Sequence, residues 1–452
     1  MSPERGRVLH RRHPDPAVDE RLRSSLRWSV FDGASFFAMV GAAEGYFQAF
    51  AVFMRGSVFQ VALVSTLPIA VASVLQLGSA VVLRALGSRK RFNLAAGVLR
   101  SALFVPLALA PLLGTARIWV LLALVCLYYL MNYLPNPAWT SWMRDLVADE
   151  QRGAYFGRRN SVANLVALAA TVTAGLLLEA FADRPWYGFL LVFNLAFLAS
   201  AASTIFMSLQ YEPAGGAAGQ RGLGLAAFVR QLPRTNYGRF VIFNFLLYFG
   251  AFLSSPLIVP YLLEELRFSY LQFMVATSLV SLFKFVALPL WGKLVDRYGS
   301  KKILTLAAFL VCTTPFTWLL ARSFAGVCAI QVWGAFAWAG FEIAAMAFAF
   351  DAMPAELVTE QTSFLLFFRG AATIGGGLVG GILFERLHVA GSAYLALFLV
   401  SGLFRLAFVL PLLALIREER QVERISYPGL VLKLLTLAPR FLLRRWFPGR
   451  PG

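Results

Sequence analysis

Histidine, cysteine and charge are all scarce in this chain of 452 residues, and each scarcity closes off a class of function. The 3 histidines, His10, His13 and His388, all lie outside the depths of the apolar runs, so a histidine-ligated metal centre in a membrane is excluded. The 3 cysteines, Cys126, Cys312 and Cys328, sit singly inside apolar runs with no CxxC between them. They read as small core side chains and say nothing of redox compartment. No GxSxG, HExxH or P-loop occurs, so the sequence offers no nucleophile elbow, zincin site or nucleotide engine. No enzyme, cofactor or resident metal is expected. Charged residues make up 14% of the chain against 59% hydrophobic, where soluble domains run near a quarter charged.

What is present is a series of long apolar runs. Residues 1–27 are polar and basic, and the first run starts too late and runs too long for a cleavable leader. Spans are predicted near Trp28–Met54, Gln60–Val82, Phe92–Leu113, Ile118–Met143, Ser161–Phe181 and Trp186–Met207. A polar, Gly/Ala-rich segment then separates them from Phe240–Leu263, Tyr270–Trp291, Ile303–Ala321, Phe324–Phe350, Ser363–Phe384 and Ser392–Ile416. Each is long enough for the roughly 20 residues a bilayer helix needs. The expected architecture is all-α and integral to the membrane, with twelve transmembrane helices in two six-helix halves, 28–208 and 240–416. A linker at 209–239 joins them, and a basic tail at 417–452 follows.

Charge placement supports that count. With both termini in the cytoplasm, 31 of the 41 Lys and Arg fall on the cytoplasmic side, 6 in the outer loops and 4 within spans. That is the positive-inside pattern, and it places the protein in the cytoplasmic membrane. The net charge of +18 then faces anionic lipid head groups rather than nucleic acid. In the tail, Lys433, Arg440 and Arg444 recur at helical spacing beside a leucine face, which predicts an interfacial helix over Leu430–Trp446.

The most informative stretch is Gly292-Lys-Leu-Val-Asp-Arg-Tyr-Gly-Ser-Lys-Lys-Ile-Leu304, a tight basic turn between two apolar runs. Gly292 and Gly299 permit close approach and a sharp turn. Asp296 is placed to meet a neighbouring helix N-terminus, with Arg297 beside it. Gly292, Leu294, Asp296, Arg297, Gly299 and Lys301 together resemble the loop signature G-x-L-x-D-R-x-G-x-K of the major facilitator superfamily. The resemblance implies a secondary transporter working by alternating access, with the first, fourth, seventh and tenth spans lining its cavity. This loop would be its gate. The drug-antiporter branch is also similar in places, but its fifth-span glycine-proline signature is missing from Ser161–Phe181.

The two halves echo each other. Asp145, Glu150, Gly175 and Glu179 recur 206 residues later as Asp351, Glu356, Gly381 and Glu385, and Gly87-Ser-Arg-Lys90 mirrors Gly299-Ser-Lys-Lys302. The echo departs at one point: Arg84 stands where the signature has aspartate, and Ala80 where it has the first glycine. The contact made by Asp296 is therefore expected to be missing or rewired in the first half.

Ionisable residues within spans mark functional candidates. Glu44 lies near mid-membrane among small residues, whereas Asp32 is placed near the cytoplasmic surface. Lys284, Arg369 and Glu342 lie at similar depth, about 10–13 Å from the cytoplasmic ends of their spans, which makes a buried network plausible. Two readings stand for Glu342: proton exchange with Lys284 or Arg369 as alternating partner, or a permanent salt bridge. Arg100 and Arg405 fall on the peripheral third and twelfth spans of the implied fold, where snorkelling or packing is expected. Tyr129, Asn132, Asn136, Trp139 and Trp338 are the expected cavity lining. Trp142, near a span end, reads as an interfacial anchor. The function expected is transport of a small organic solute coupled to protons, by a monomer, with antiport export placed ahead of import. Import of an organic anion through Lys284 and Arg369, or a transport-inactive sensor, are the alternatives.

Overall fold

The computed structural model describes residues 16–434, apart from positions 57, 111–116, 214–223, 269, 388, 390, 424 and 431. Among these residues the chain forms helices and no named strand. A bilayer leaves no other solution for an open chain, since every backbone N–H and C=O must find a partner within its own segment. Eleven helices are long and apolar enough to cross a membrane. In the first half they are α1 (Glu20–Phe53), α2 (Thr66–Leu86), α3 (Arg89–Leu109), α4 (Ile118–Leu146), α5 (Asp149–Ala180) and α6 (Pro185–Ser208). In the second half they are α7 (Asn236–Pro260), α8 (Val275–Tyr298), α10 (Phe324–Ala352), α11 (Val358–Arg386) and α12 (Ala393–Leu415). The twelfth, α9 (Ser300–Trp318), lies between α8 and α10 and is not among those eleven. Its threonine hydroxyls are satisfied within the helix: Thr305, Thr313, Thr314 and Thr317 each donate to a carbonyl one turn back.

Starts are set by side-chain caps. Ser88, Thr235, Ser323 and Ser392 each accept from a backbone N–H three residues on, opening α3, α7, α10 and α12. Two acidic caps share one plan. Glu212, after α6, accepts from the Ser88 hydroxyl and the Arg89 N–H. Glu418, after α12, accepts from the Ser300 hydroxyl and the Lys301 N–H. These two glutamates stand 206 residues apart, so the duplication reaches further than the sequence reading took it.

The core is unevenly divided. On the face that carries the tail and the α2–α3 and α8–α9 turns, called the near face below, one cluster joins Trp142, Leu146 and Phe156 to Trp291, Phe350 and Val358 of the second half. Toward the far face the cores separate. One is made only of first-half residues such as Phe50, Tyr128 and Phe193, the other only of second-half residues such as Tyr261, Trp318 and Phe398. The halves thus share a core at one end and part toward the other.

Several expectations are corrected here. Trp142 is fully buried, its indole N–H donating to the Tyr211 carbonyl, so it anchors the shared core and not the interface with lipid. Asp32 is buried as well, accepting from Ser203 at 2.7 Å with Arg159 at 3.8 Å. For Arg100 and Arg405, where snorkelling or packing was expected, packing is what is found: both are buried, Arg100 on Ser200 and Asn132, Arg405 on Ser401 and the Val311 carbonyl. The first helix begins at Pro16, so residues 16–27 continue into the first span. The tail helix expected to Trp446 lies outside the described residues beyond 434. Its described part packs on the protein, Lys433 reaching the Tyr298 hydroxyl.

Candidate functional site

Three of the helices around the space between the halves are interrupted at mid-depth. The α-helical turns of α1 end at Ala43, and Glu44–Tyr46 form a tighter 3₁₀ turn before the helix resumes at Phe47. In α7 the α-helix stops at Phe252, with a 3₁₀ turn at Ser255–Leu257. In α4 the helix breaks between Tyr133 and Asn136, where Pro135 has no N–H to contribute. Such breaks free backbone groups, and they are tolerated within a membrane only where the segment is buried in protein or lines a cavity.

On the first-half wall the Tyr128 hydroxyl donates to Glu44 at 3.1 Å. Tyr129 packs edge-on against Tyr128 and continues to Tyr133. Asn132 does not face the opening, because its carbonyl accepts from Arg100 at 3.3 Å. Asn136 is exposed and accepts from Thr140. Trp139 sits under the Arg159 guanidinium, 4.7 Å from its ring centroid, and touches Phe156. It therefore belongs to the shared near-face core more than to the opening.

On the second-half wall Lys284 and Glu342 form an ion pair at 2.6 Å, with side chains 19% and 35% exposed. Of the two cations offered as partners for Glu342, Lys284 takes it. Arg369 lies instead over the ring of Tyr248, at 4.0 Å, and Tyr248 packs on Trp338. Lys284 and Glu342 belong to the same half, so rocking of one half against the other leaves their separation unchanged.

The near-face turn makes its own contacts. Asp296 accepts from the backbone N–H groups of Gly153 and Ala154, both at 2.7 Å, and so caps the start of α5 in the other half. Gly292 lies directly against Gly153: a Cβ on either would meet the other's carbonyl oxygen at 2.1–2.4 Å. A Cβ on Gly157 would meet the Leu288 carbonyl oxygen at 2.6 Å, and the Ser161 hydroxyl donates to the Phe285 carbonyl. Gly299 turns the chain at φ +91, a conformation glycine accepts without strain. Arg297 pairs with Glu423 of the tail at 2.6 Å, which holds the Glu423 carboxyl below its ordinary range. Lys301 contributes its backbone N–H to Glu418. A further bridge across the halves joins Arg152 to Asp351 at 3.8 Å.

The sequence reading missed one cluster. On α2, Ser73, Gln76 and Ser79 are buried, and the two serine hydroxyls and the Gln76 carbonyl oxygen have no hydrogen-bond partner among the described residues. A 3₁₀ turn at Gln76–Gly78 lines up side chains three apart, and Ser73 packs on Gly370 of α11. Small polar residues in an apolar run give little signal; the three-residue spacing was the only one available. Among the described residues no group of three or more His, Cys, Asp or Glu is placed to hold a metal ion.

Twelve helices in two halves, interrupted around a charged mid-depth site, are the architecture of the major facilitator fold. Residues 240–447 match the family model described as Major Facilitator Superfamily. Solved structures extend the likeness, in fold, to most of the chain. A bacterial homologue of the iron transporter ferroportin, outward-facing, is 16% identical with a TM-score of 0.65, covering 87% of this chain and 98% of that one. The E. coli fucose:proton symporter FucP is 14% identical, with a TM-score of 0.67, over 87% and 99%. The human organic anion transporter MFSD10 is 17% identical, with a TM-score of 0.63, over 88% and 100%. A comparison with curated proteins finds no match. Residues 240–447 thus match that family by sequence, and most of the chain shares its fold, a multi-pass helical membrane architecture.

Proposed function

We propose that the protein moves a small organic solute across the cytoplasmic membrane by alternating access, coupled to protons through Glu342, as a monomer with both termini in the cytoplasm. In that orientation the near face is cytoplasmic, its basic turns meet anionic lipid head groups, and the site opens outward. The observation that carries the reading is the Lys284–Glu342 pair, set at bilayer depth yet partly open to the space between the halves. A fully buried pair would serve only packing, whereas this one is open to a proton or a solute. Because both partners ride on one half, coupling works by competition at the pair and not by pulling it apart. The second-half wall would hold the solute with Trp338, and the first-half wall with Tyr129 and Asn136. Glu44 would act as a second polar contact, and the Gly292–Lys301 turn would close the cytoplasmic side. Proton coupling has precedent in the fucose:proton symporter of the same fold. Antiport export is preferred over import.

The test is Glu342→Gln in proteoliposomes. A solute found by screening the overexpressing cells with and without a protonophore should lose its pH-gradient-driven movement while solute exchange persists. Full retention of proton coupling would overturn the role of Glu342. Failure of the wild-type protein to move any solute would favour a sensor or scaffold on the same fold.

A further inference from the structure

The second-half wall carries one cation more than its acids match. Lys284 is neutralised by Glu342, but Arg369, exposed and on α11, makes no ion pair or hydrogen bond among the described residues. Its guanidinium lies over the Tyr248 ring. A cation at bilayer depth is costly unless something meets it, and a ring face meets one side of a guanidinium while leaving its edge donors free. Arg369 also lies inside the bundle: the next residue, Gly370, packs on Ser73 of α2, and Tyr248 belongs to α7. Across the opening, Tyr133 lies within electrostatic reach of both Arg369 and Glu44, so the two walls face each other at this level.

We propose that Arg369 anchors the anionic group of the transported solute, and that this solute is an organic monoanion with a flat apolar body. The planar fork of a guanidinium matches a carboxylate or sulfonate with two parallel hydrogen bonds, which an ammonium cannot reproduce. The body would lie between Tyr248 with Trp338 on one side and Tyr129 with Tyr133 on the other, rings that offer apolar faces and hydroxyl tips. On the second-half wall, among the described residues, a cationic solute meets only Glu342, which Lys284 holds; Glu44, hydrogen-bonded by Tyr128, stands on the opposite wall. The proposal rests on the transporter reading above and narrows it to one chemical class.

The test uses the full chain in nanodiscs and four probes of similar body: benzoate, benzenesulfonate, benzyl alcohol and benzyltrimethylammonium. Calorimetry should show the two anions binding the wild type more tightly than the alcohol or the cation. Arg369→Gln should weaken the anions by about 10- to 100-fold, the range for hydrogen bonds to a charged group, and leave the other two unchanged. Arg369→Lys keeps the charge without the fork and should fall between. Melting curves show whether each variant is folded, and Arg369→Lys alone decides if Arg369→Gln is not. Equal anion binding by the variants, preference for the ammonium probe, or no binding of either anion would overturn the anchor. Counterflow of benzenesulfonate in proteoliposomes separates this from the wider reading. Anion binding without movement supports the anchor and overturns transport, whereas movement of another solute with no anion binding overturns the anchor alone.

Discussion

The near face is closed by two seams that the duplication makes counterparts, α5 against α8 and α2 against α11, and they are built very differently. The first is tight and satisfied: Gly153 lies on Gly292, Gly157 on the Leu288 carbonyl, and Asp296 accepts two backbone N–H groups. The second has one comparable approach, Gly370 on Ser73, and leaves three buried side-chain oxygens on Ser73, Gln76 and Ser79 without partners. Where Asp296 stands in one half, an exposed Arg84 stands in the other. A buried polar group left unpaired costs about 1–3 kcal/mol relative to one that is paired or hydrated. The difference teaches that repeated sequence does not mean repeated energetics: the α5–α8 seam holds the near face shut, and the α2–α11 seam is where water gains most by entering.

The comparison is broken most directly at Gly292. Gly292→Val puts side-chain atoms where the Gly153 carbonyl lies, and overpacking of this kind costs about 1–3 kcal/mol. Spin-label distances across the near face should shift to the open form, with transport largely lost; an unchanged distance distribution would show that the seam is slack. Asp296→Ala comes next. It removes two charge-assisted bonds, on the order of 3 kcal/mol together, and should favour the near-face-open form by about tenfold or more on the same measurement. Ser79→Ala tests the other seam with the opposite sign. Deleting an unpartnered buried hydroxyl should raise the melting temperature slightly, by no more than ~1 kcal/mol of stability, and a clear loss would mean that the hydroxyl has a partner. The smallest effect belongs to the exposed pair of Arg297 and Glu423. Glu423 is lowered by its hydrogen bond from Arg297, so its contribution is present above the ordinary glutamate range and is lost as pH falls through the lowered value. Glu423→Gln should abolish any acid-dependent release of the tail, read by cysteine accessibility at the tail, and change little else.

Much of this was legible in the chain before its structure. The apolar runs and the basic turns define the helices and their order, because a bilayer admits few alternatives. The place of Asp296 at a helix start followed from its position in the turn. Which helices would cover a given residue was less legible. Trp142 at a span end has the composition of an interfacial anchor, but the α6–α7 connection folds over it through Tyr211. Arg100 shows the same limit. Its helix position suggested the periphery, yet Ser200 from α6 and Asn132 from α4 converge on it. Asn132 was expected to face the solute and is turned away by that same contact. Contacts between helices far apart in sequence depend on packing angles that no local pattern encodes.

The two halves also supply their buried guanidiniums from opposite members of the same helix pair. In the first half Arg100 reaches from α3 to Ser200 of α6; in the second Arg405 reaches from α12 to the Val311 carbonyl of α9. The packing problem between third and sixth helices has been solved twice, from opposite sides.

The placement of Lys284 and Glu342 on one half bears on how voltage can act. Joined, the pair travels with its half as a neutral unit, and an electric field across the bilayer, worth about 2.3 kcal/mol per elementary charge per 100 mV, does no work on it. If Glu342 takes a proton, as proposed above, that cancellation is lost and the ammonium adds its charge to that of Arg369 on the same half, so the potential acts more strongly on the protonated form.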